Sequence, residues 1–217
     1  MATVLVIVTA GCGATELVGT PGSAAPLIDP AQRAVLIETT GCGFASDRTG
    51  SGVAVGDGLV LTVAHLVSRA DNITASVGNG GGVNAVVKAV DLNLDLAVLQ
   101  LPRNGVPDIE MSSAGVGAEG LIVGGAASGT VPFDVKKVVR LRIEEVLGTD
   151  LHSRRGYELD AETAPGDSGA GAYDNENRLV GVVFATSRDG ESSWITASVE
   201  IESFLAAPPA GISTLCG

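Results

Sequence analysis

Apolar residues recur along this chain in short runs, most of three to eight positions, broken by glycine-rich turns. That texture predicts β-strands rather than helices. In the first half the runs are Ala34–Thr39, Gly52–Val55, Leu59–Val63, Ile73–Val77, Val83–Val90 and Leu96–Leu101. Turn signals such as Gly56-Asp57-Gly58 and Gly78-Asn79-Gly80-Gly81-Gly82 separate them. Closely spaced strands of this kind predict a small antiparallel barrel. The turn-rich stretch Pro102–Gly120 then crosses to a second set of runs: Leu121–Val123, Lys136–Val146, Gly156–Leu159, Ala170–Tyr173, Leu179–Ala185 and Ser193–Ala197. Strict alternation in Val139-Arg140-Leu141-Arg142-Ile143-Glu144 turns Val139, Leu141 and Ile143 inward. Lys136, Lys137, Arg140 and Arg142 then read as a solvated strand face. In Ser198–Leu205, Val199, Ile201, Phe204 and Leu205 fall at near-helical spacing and predict one C-terminal helix.

The N-terminal stretch of the chain differs. Met1–Ala10 is almost wholly apolar and is followed by Gly11-Cys12-Gly13. This looks like the short apolar core of an export signal ending at a lipobox-like Thr9-Ala10-Gly11-Cys12. Cleavage before Cys12 leaves that cysteine to carry a lipid, a membrane tether on the outer face of the cell. No Lys or Arg precedes the run, and Thr9 stands where such boxes carry Leu, so a first β-strand or a truncated signal is the alternative. Residues 13–33, rich in Gly, Pro, Ala and Thr, read as a linker. The expected organisation is thus a signal-like segment 1–12, a linker 13–33 and a folded unit 34–217. Within that unit a first barrel spans 34–102, a crossover 103–120, and the second barrel with its helix 121–217.

Composition narrows the classes. The 217 residues are 45% hydrophobic and 18% charged, which supports a real core and excludes intrinsic disorder. With 13 Lys+Arg against 25 Asp+Glu the net charge is −12, which excludes nucleic acid as a partner, since phosphate binding needs clustered cations. The Gly content, 30 residues, is roughly twice average usage and fits tight turns between strands. No apolar run reaches the length of a membrane-spanning helix. Three cysteines are present: Cys12, Cys42 and Cys216. A lipidated Cys12 leaves Cys42 and Cys216, which an oxidising compartment allows to pair. That bridge would close a loop of about 175 residues, contributing up to ~5 kcal/mol in the chain-entropy model. Two unpaired thiols in the chain ends are the alternative.

Candidate chemistry rests on few residues. There are two histidines; His65 follows an apolar β-type run in Leu61-Thr62-Val63-Ala64-His65, whereas His152 lies in a polar stretch and is expected at the surface. Ser168 sits in Pro165-Gly166-Asp167-Ser168-Gly169-Ala170-Gly171. Glycines on either side of a serine permit a tight turn that presents Oγ outward and gathers backbone N–H groups into one pocket. Such donors stabilise charge developing on a carbonyl oxygen under attack. Taken alone, Gly-Asp-Ser-Gly is equally well a simple turn. Asp95 opens the apolar run Leu96–Leu101, where a buried carboxylate needs a partner, and an imidazole N–H is a suitable one. Asp91 competes for that role but reads as a turn residue. No cofactor is implied, and isolated histidines with scattered cysteines offer no metal-ligand cluster.

In the order His65, Asp95, Ser168, the segments Thr62-Val63-Ala64-His65, Asp95-Leu96-Ala97-Val98-Leu99 and Gly166-Asp167-Ser168-Gly169 resemble the trypsin/chymotrypsin-like serine proteases. More narrowly, the chain resembles the extracytoplasmic protease domain of actinobacterial membrane-anchored (MarP-like) proteases. The resemblance implies an all-β fold of two six-stranded antiparallel barrels with the site between them. It implies a catalytic His65/Asp95/Ser168 triad, an oxyanion hole from the Gly166 and Ser168 amides, and a protein or peptide substrate. It also implies substrate pairing along Phe184, Ala185 and Thr186, Glu162 near the base of the primary specificity pocket, and a Cys42–Cys216 bridge. The chain departs from the pattern with Ala170-Gly171 after the Ser-Gly pair, Pro165 before the loop, and Phe184 where many relatives carry serine. A catalytically silent fold used for binding or sensing is the alternative function. An esterase elbow is excluded by the chain order of the three residues.

Overall fold

The computed structural model describes residues 28–43, 45–102, 105–126, 129–144, 151–188 and 190–209. The signal-like segment, Cys12, Cys216 and the side chain of His152 lie outside that description. The first half holds strands β1 (Ala34–Gly41), β2 (Arg48–Gly56), β3 (Leu59–Thr62), β4 (Ala70–Val77), β5 (Val83–Asn84), β6 (Val86–Asp91) and β7 (Leu96–Gln100). The second holds β8 (Glu119–Val123), β9 (Thr130–Glu144), β10 (Leu151–Asp160), β11 (Gly171–Asp174), β12 (Leu179–Thr186) and β13 (Ser192–Ala197). Among the described residues three helices accompany the strands: α1 (Pro30–Arg33), α2 (Ala64–Val67) and α3 (Ser198–Ala206).

Both halves are antiparallel, as the alternation predicts. β8–β13 form a closed barrel in the order β10-β13-β12-β11-β8-β9. The first half is a curled sheet in the order β5-β4-β1-β2-β3-β7-β6. Its strand count exceeds the expected six because the run Val83–Val90 divides. The Ala85 amide turns aside to donate to Ile73 O at 2.9 Å, so β5 stays with β4 while β6 joins β7. β1 shows the pattern that drives the packing: Val35, Ile37 and Thr39 are buried, whereas Glu38 and Thr40 face water.

Two apolar clusters result. One lies within the second barrel, around Ile122, Phe133, Leu159, Val183 and Ile195. The larger one begins in the first sheet, at residues such as Val35, Leu61 and Leu99. It continues across the seam through Val123, Tyr173, Leu179 and Val182 to Ile201 and Phe204 of α3. The two halves therefore share a core.

The linker expected over 13–33 ends in structure rather than in loose chain. Asp29 caps the short α1 through a 3.0 Å bond from Ala31 N–H. Arg33 is buried and donates to Ala54 O at 3.0 Å, Pro107 O at 2.8 Å and Asp108 O at 3.0 Å, tying the crossover to β2. Burial lowers its pKa, yet it remains a cation near neutrality. Arg33→Ala is expected to cost about 3 kcal/mol in urea unfolding, because three carbonyls lose a charge-assisted donor together. A cost below about 1 kcal/mol would show the crossover held by other means.

Candidate active site

Register decides which side chains meet. In the β3–β7 pair, Thr62 lies opposite Ala97. Residues just after Thr62 and just before Ala97 must then emerge at the same end of the sheet, because the strands run in opposite directions. His65 is in the single turn of α2, three residues past β3, and Asp95 immediately precedes β7. The sequence suggested a strand-end position for His65, and the short helix folds its ring back over β7. Asp95 Oδ1 accepts from the His65 backbone N–H at 2.8 Å, and Oδ2 lies 2.8 Å from Nδ1. Asp95 is only 6% exposed and adopts a left-handed backbone with φ +52°, a conformation that Asp tolerates better than most residues. With its carboxylate facing Nδ1, the neutral ring carries its proton there and leaves the Nε2 lone pair free. Asp91, the competitor, is a turn residue whose Oδ1 accepts from Asn93 and Leu94 N–H, each at 2.9 Å.

Two arginines brace this corner. Arg48 on β2 donates to His65 O and to Ser68 O, the latter at 3.1 Å. Arg154 on β10 reaches from the other half to Leu94 O, the carbonyl preceding Asp95. It is 1% exposed, and its guanidinium carbon lies 3.9 Å from the centroid of the Phe184 ring. Burial pushes its pKa down to about 10, partly offset by the charges of Asp95, Asp91 and Glu200.

Ser168 comes from the second barrel by the same antiparallel logic. Gly171 of β11 pairs with Val182 of β12, and Gly169 N–H donates to Val183 O at 2.8 Å. The loop before β11 and the residues after Val183 therefore share one end of the barrel. Phe184 sits at a register shift between β12 and β13, which turns its ring toward Arg154. Phe184 and Ala185 are half-buried and Thr186 is exposed. The Thr186 hydroxyl meets that of Thr163, which lies 2.6 Å from Ser193 Oγ.

Internal hydrogen bonds hold most of the backbone of the Ser168 loop. Ala164 N–H donates to Asp167 Oδ2 at 2.8 Å, and Asp167 N–H returns to Ala164 O at 3.0 Å. Gly166 O accepts from Ser51 Oγ at 2.8 Å, Asp167 O from Ala170 N–H at 2.8 Å, and Ser168 O from Ser51 N–H at 2.8 Å. Among the described residues, the amides of Gly166 and Ser168 have no internal acceptor. Ser168 is half-buried, and its hydroxyl makes no hydrogen bond to the His65 ring. Glu162 is exposed and, with Asp134 and Asp160, rims a cavity of about 440 Å³ beside Thr130 and Pro132.

Ser51, Arg48 and Arg154, whose side chains bond to backbone carbonyls around the site, do not stand out in the sequence. Ser51, set between Gly50 and Gly52, carried the one available hint, a polar residue in a run destined for burial.

Residues 50–182, which contain all three residues of the expected triad, match the trypsin-like peptidase domain family. The chain belongs to that family. Among relatives of this trypsin-like domain, the serine protease Rv3671c of Mycobacterium tuberculosis is 27% identical over 164 residues, covering 72% of this chain and 41% of its own. The serine endoprotease DegS of Haemophilus influenzae is 31% identical over 142 residues, covering 63% of this chain and 41% of its own. The chain thus spans well under half the length of these relatives. The crystal structure of the M. tuberculosis Rv3671c protease in its active form superposes with a TM-score of 0.77 at 25% identity, covering 91% of this chain and 96% of that one. The trypsin-like fold that the resemblance implies is borne out.

Proposed function

We propose that this chain is an exported serine endopeptidase domain acting through His65, Asp95 and Ser168. The two-point grip of Asp95 on His65 carries the proposal, together with the paired unsatisfied amides of Gly166 and Ser168. Ser168 Oγ attacks the scissile carbonyl while His65 Nε2 takes the hydroxyl proton; the oxygen left negative is held by the two amides. Collapse of the tetrahedral species expels the amine, which receives that proton from His65. Water then repeats the sequence on the acyl-enzyme and restores the Ser168 hydroxyl. Asp95 keeps the ring in one tautomer and stabilises the imidazolium. The Ser168–His65 hydrogen bond closes when substrate is bound, as catalytic contacts commonly do. The substrate backbone pairs with Phe184–Thr186. Glu162, exposed at the rim of the cavity beside Thr130 and Pro132, is the carboxylate through which a basic substrate side chain would be favoured, although Lys136 already pairs with Asp160 at 3.1 Å.

The same reading includes export, a lipid on Cys12 and a Cys42–Cys216 bridge. That Cys42 is disulfide-bonded supports the bridge. Among relatives, one in Halomonas elongata is named a probable periplasmic endoprotease, which supports an extracytoplasmic site. Among the described residues no helix is long and apolar enough to cross a membrane.

A fluorophosphonate probe, which reacts only with an activated serine, tests the central claim. Labelling of the wild-type chain and loss of labelling in Ser168→Ala are expected. The unbonded Ser168 hydroxyl is the observation favouring a silent binding module, and equal absence of label from both proteins would establish that alternative.

A further inference from the structure

We propose that Ser51, a first-half residue outside the triad, is a positioning residue that holds the Ser168 loop with its two amides turned into the cleft. This rests on the protease reading above, and it assigns a role to a side chain that touches neither substrate nor nucleophile.

Ser51 lies on β2 and is fully buried. A serine hydroxyl has one donor and two acceptor sites. Here all are used across the seam: Oγ donates to Gly166 O at 2.8 Å and accepts from Gly125 N–H at 3.0 Å and Ala126 N–H at 3.3 Å. Its backbone N–H holds Ser168 O at 2.8 Å, and its own carbonyl accepts from Thr62 Oγ1 at 2.7 Å. One residue therefore fixes the carbonyls on both sides of Asp167 and the turn at Gly125. That turn is pressed so closely on β1 that a Cβ on Gly125 would stand 2.2 Å from the Val35 carbonyl carbon.

The consequence for the cleft follows from the accounting of the loop. Gly166 has φ +106°, so the peptides on either side of it rotate at little steric cost. Without the Ser51 hydroxyl, Gly166 O becomes a partly buried acceptor with no donor, an unfavourable state that the loop can relieve by turning. The unpaired donors nearest in sequence are the Gly166 and Ser168 amides. A loop that turns this carbonyl toward the Ser168 amide relieves the orphan and consumes one of the two donors that should hold the oxyanion. Thr62 supports the same residue from the strand that leads to His65, so both halves of the machinery converge on Ser51.

Ser51→Ala is tested with the fluorophosphonate probe, fluorescein-labelled casein and a thermal melt. The expected result is a folded protein whose labelling rate and kcat fall about 10–100-fold, while KM for casein changes less than about twofold, the pattern of a donor needed only in the transition state. Labelling and kcat at the wild-type level, or losses in kcat and KM that simply track the melting temperature, would overturn the inference. If Ser51→Ala does not fold, Thr62→Val and Thr62→Ser decide. Restoration of kcat by Thr62→Ser relative to Thr62→Val supports the strut, and equal kcat in the two overturns it. A wild-type chain that takes no label defeats the protease reading itself, whereas a labelled wild type with an equally labelled Ser51→Ala defeats this inference alone.

Discussion

Ser168→Ala and His65→Ala are each expected to lower hydrolysis of fluorescein-labelled casein by about 10⁴–10⁶-fold, and the double variant by no more than either single one. Non-additivity is the informative part. The hydroxyl and the ring act on one proton, so removing either leaves the other with nothing to do. Asp95→Asn should fall in the lower part of that range, at roughly 10⁴-fold. Both groups facing the Asp95 carboxylate are donors, the His65 amide and Nδ1–H. A carboxamide has one oxygen and one NH₂, so it can accept from one donor while opposing the other. The ring is then driven to the tautomer whose Nε2 carries hydrogen and cannot serve as a base. Multiplicative losses in the Ser168/His65 double variant would show that the two groups act in separate steps.

Gly169→Ala is expected to abolish labelling and to destabilise the fold by roughly 4 kcal/mol or more. Two costs coincide there. The backbone has φ +91°, a region that side chains rarely occupy, and a Cβ would stand 1.9 Å from Ser51 O and 2.6 Å from Thr62 Oγ1. Neither neighbour can yield, since one is backbone in the sheet and the other is bonded to it. Gly117 provides the internal comparison: its φ is +79°, but nothing lies within 4 Å of its added Cβ. Gly117→Ala should therefore cost only about 1 kcal/mol, from backbone strain alone. Similar unfolding midpoints in urea for the two variants would show that the Ser168 loop is not packed as tightly as described.

The sequence makes the local periodicity and the chemistry legible, and leaves the seam obscure. Short apolar runs bounded by turn residues located β1, β12 and β13, and recurrence of apolar residues at helical spacing located α3. The short helix carrying His65 left no trace, since four residues are too few to show a period. The split of Val83–Val90 was equally hidden, because Ala85 is apolar like its neighbours and only its amide departs from the ladder. His65, Asp95 and Ser168 could be singled out because imidazole is scarce and the acid opens an apolar run. Ser51, Arg48 and Arg154 could not, because their partners are backbone carbonyls and amides. A carbonyl has the same chemistry at every position, so no residue spacing announces which one a buried side chain will find.

Arg154 also limits how this molecule can move. Its charge sits in an oily slot, held by one carbonyl of the opposite half and the face of an aromatic ring. Parting the two halves would break that carbonyl contact and the packing on the ring, so the buried cation fastens one half to the other directly behind Asp95.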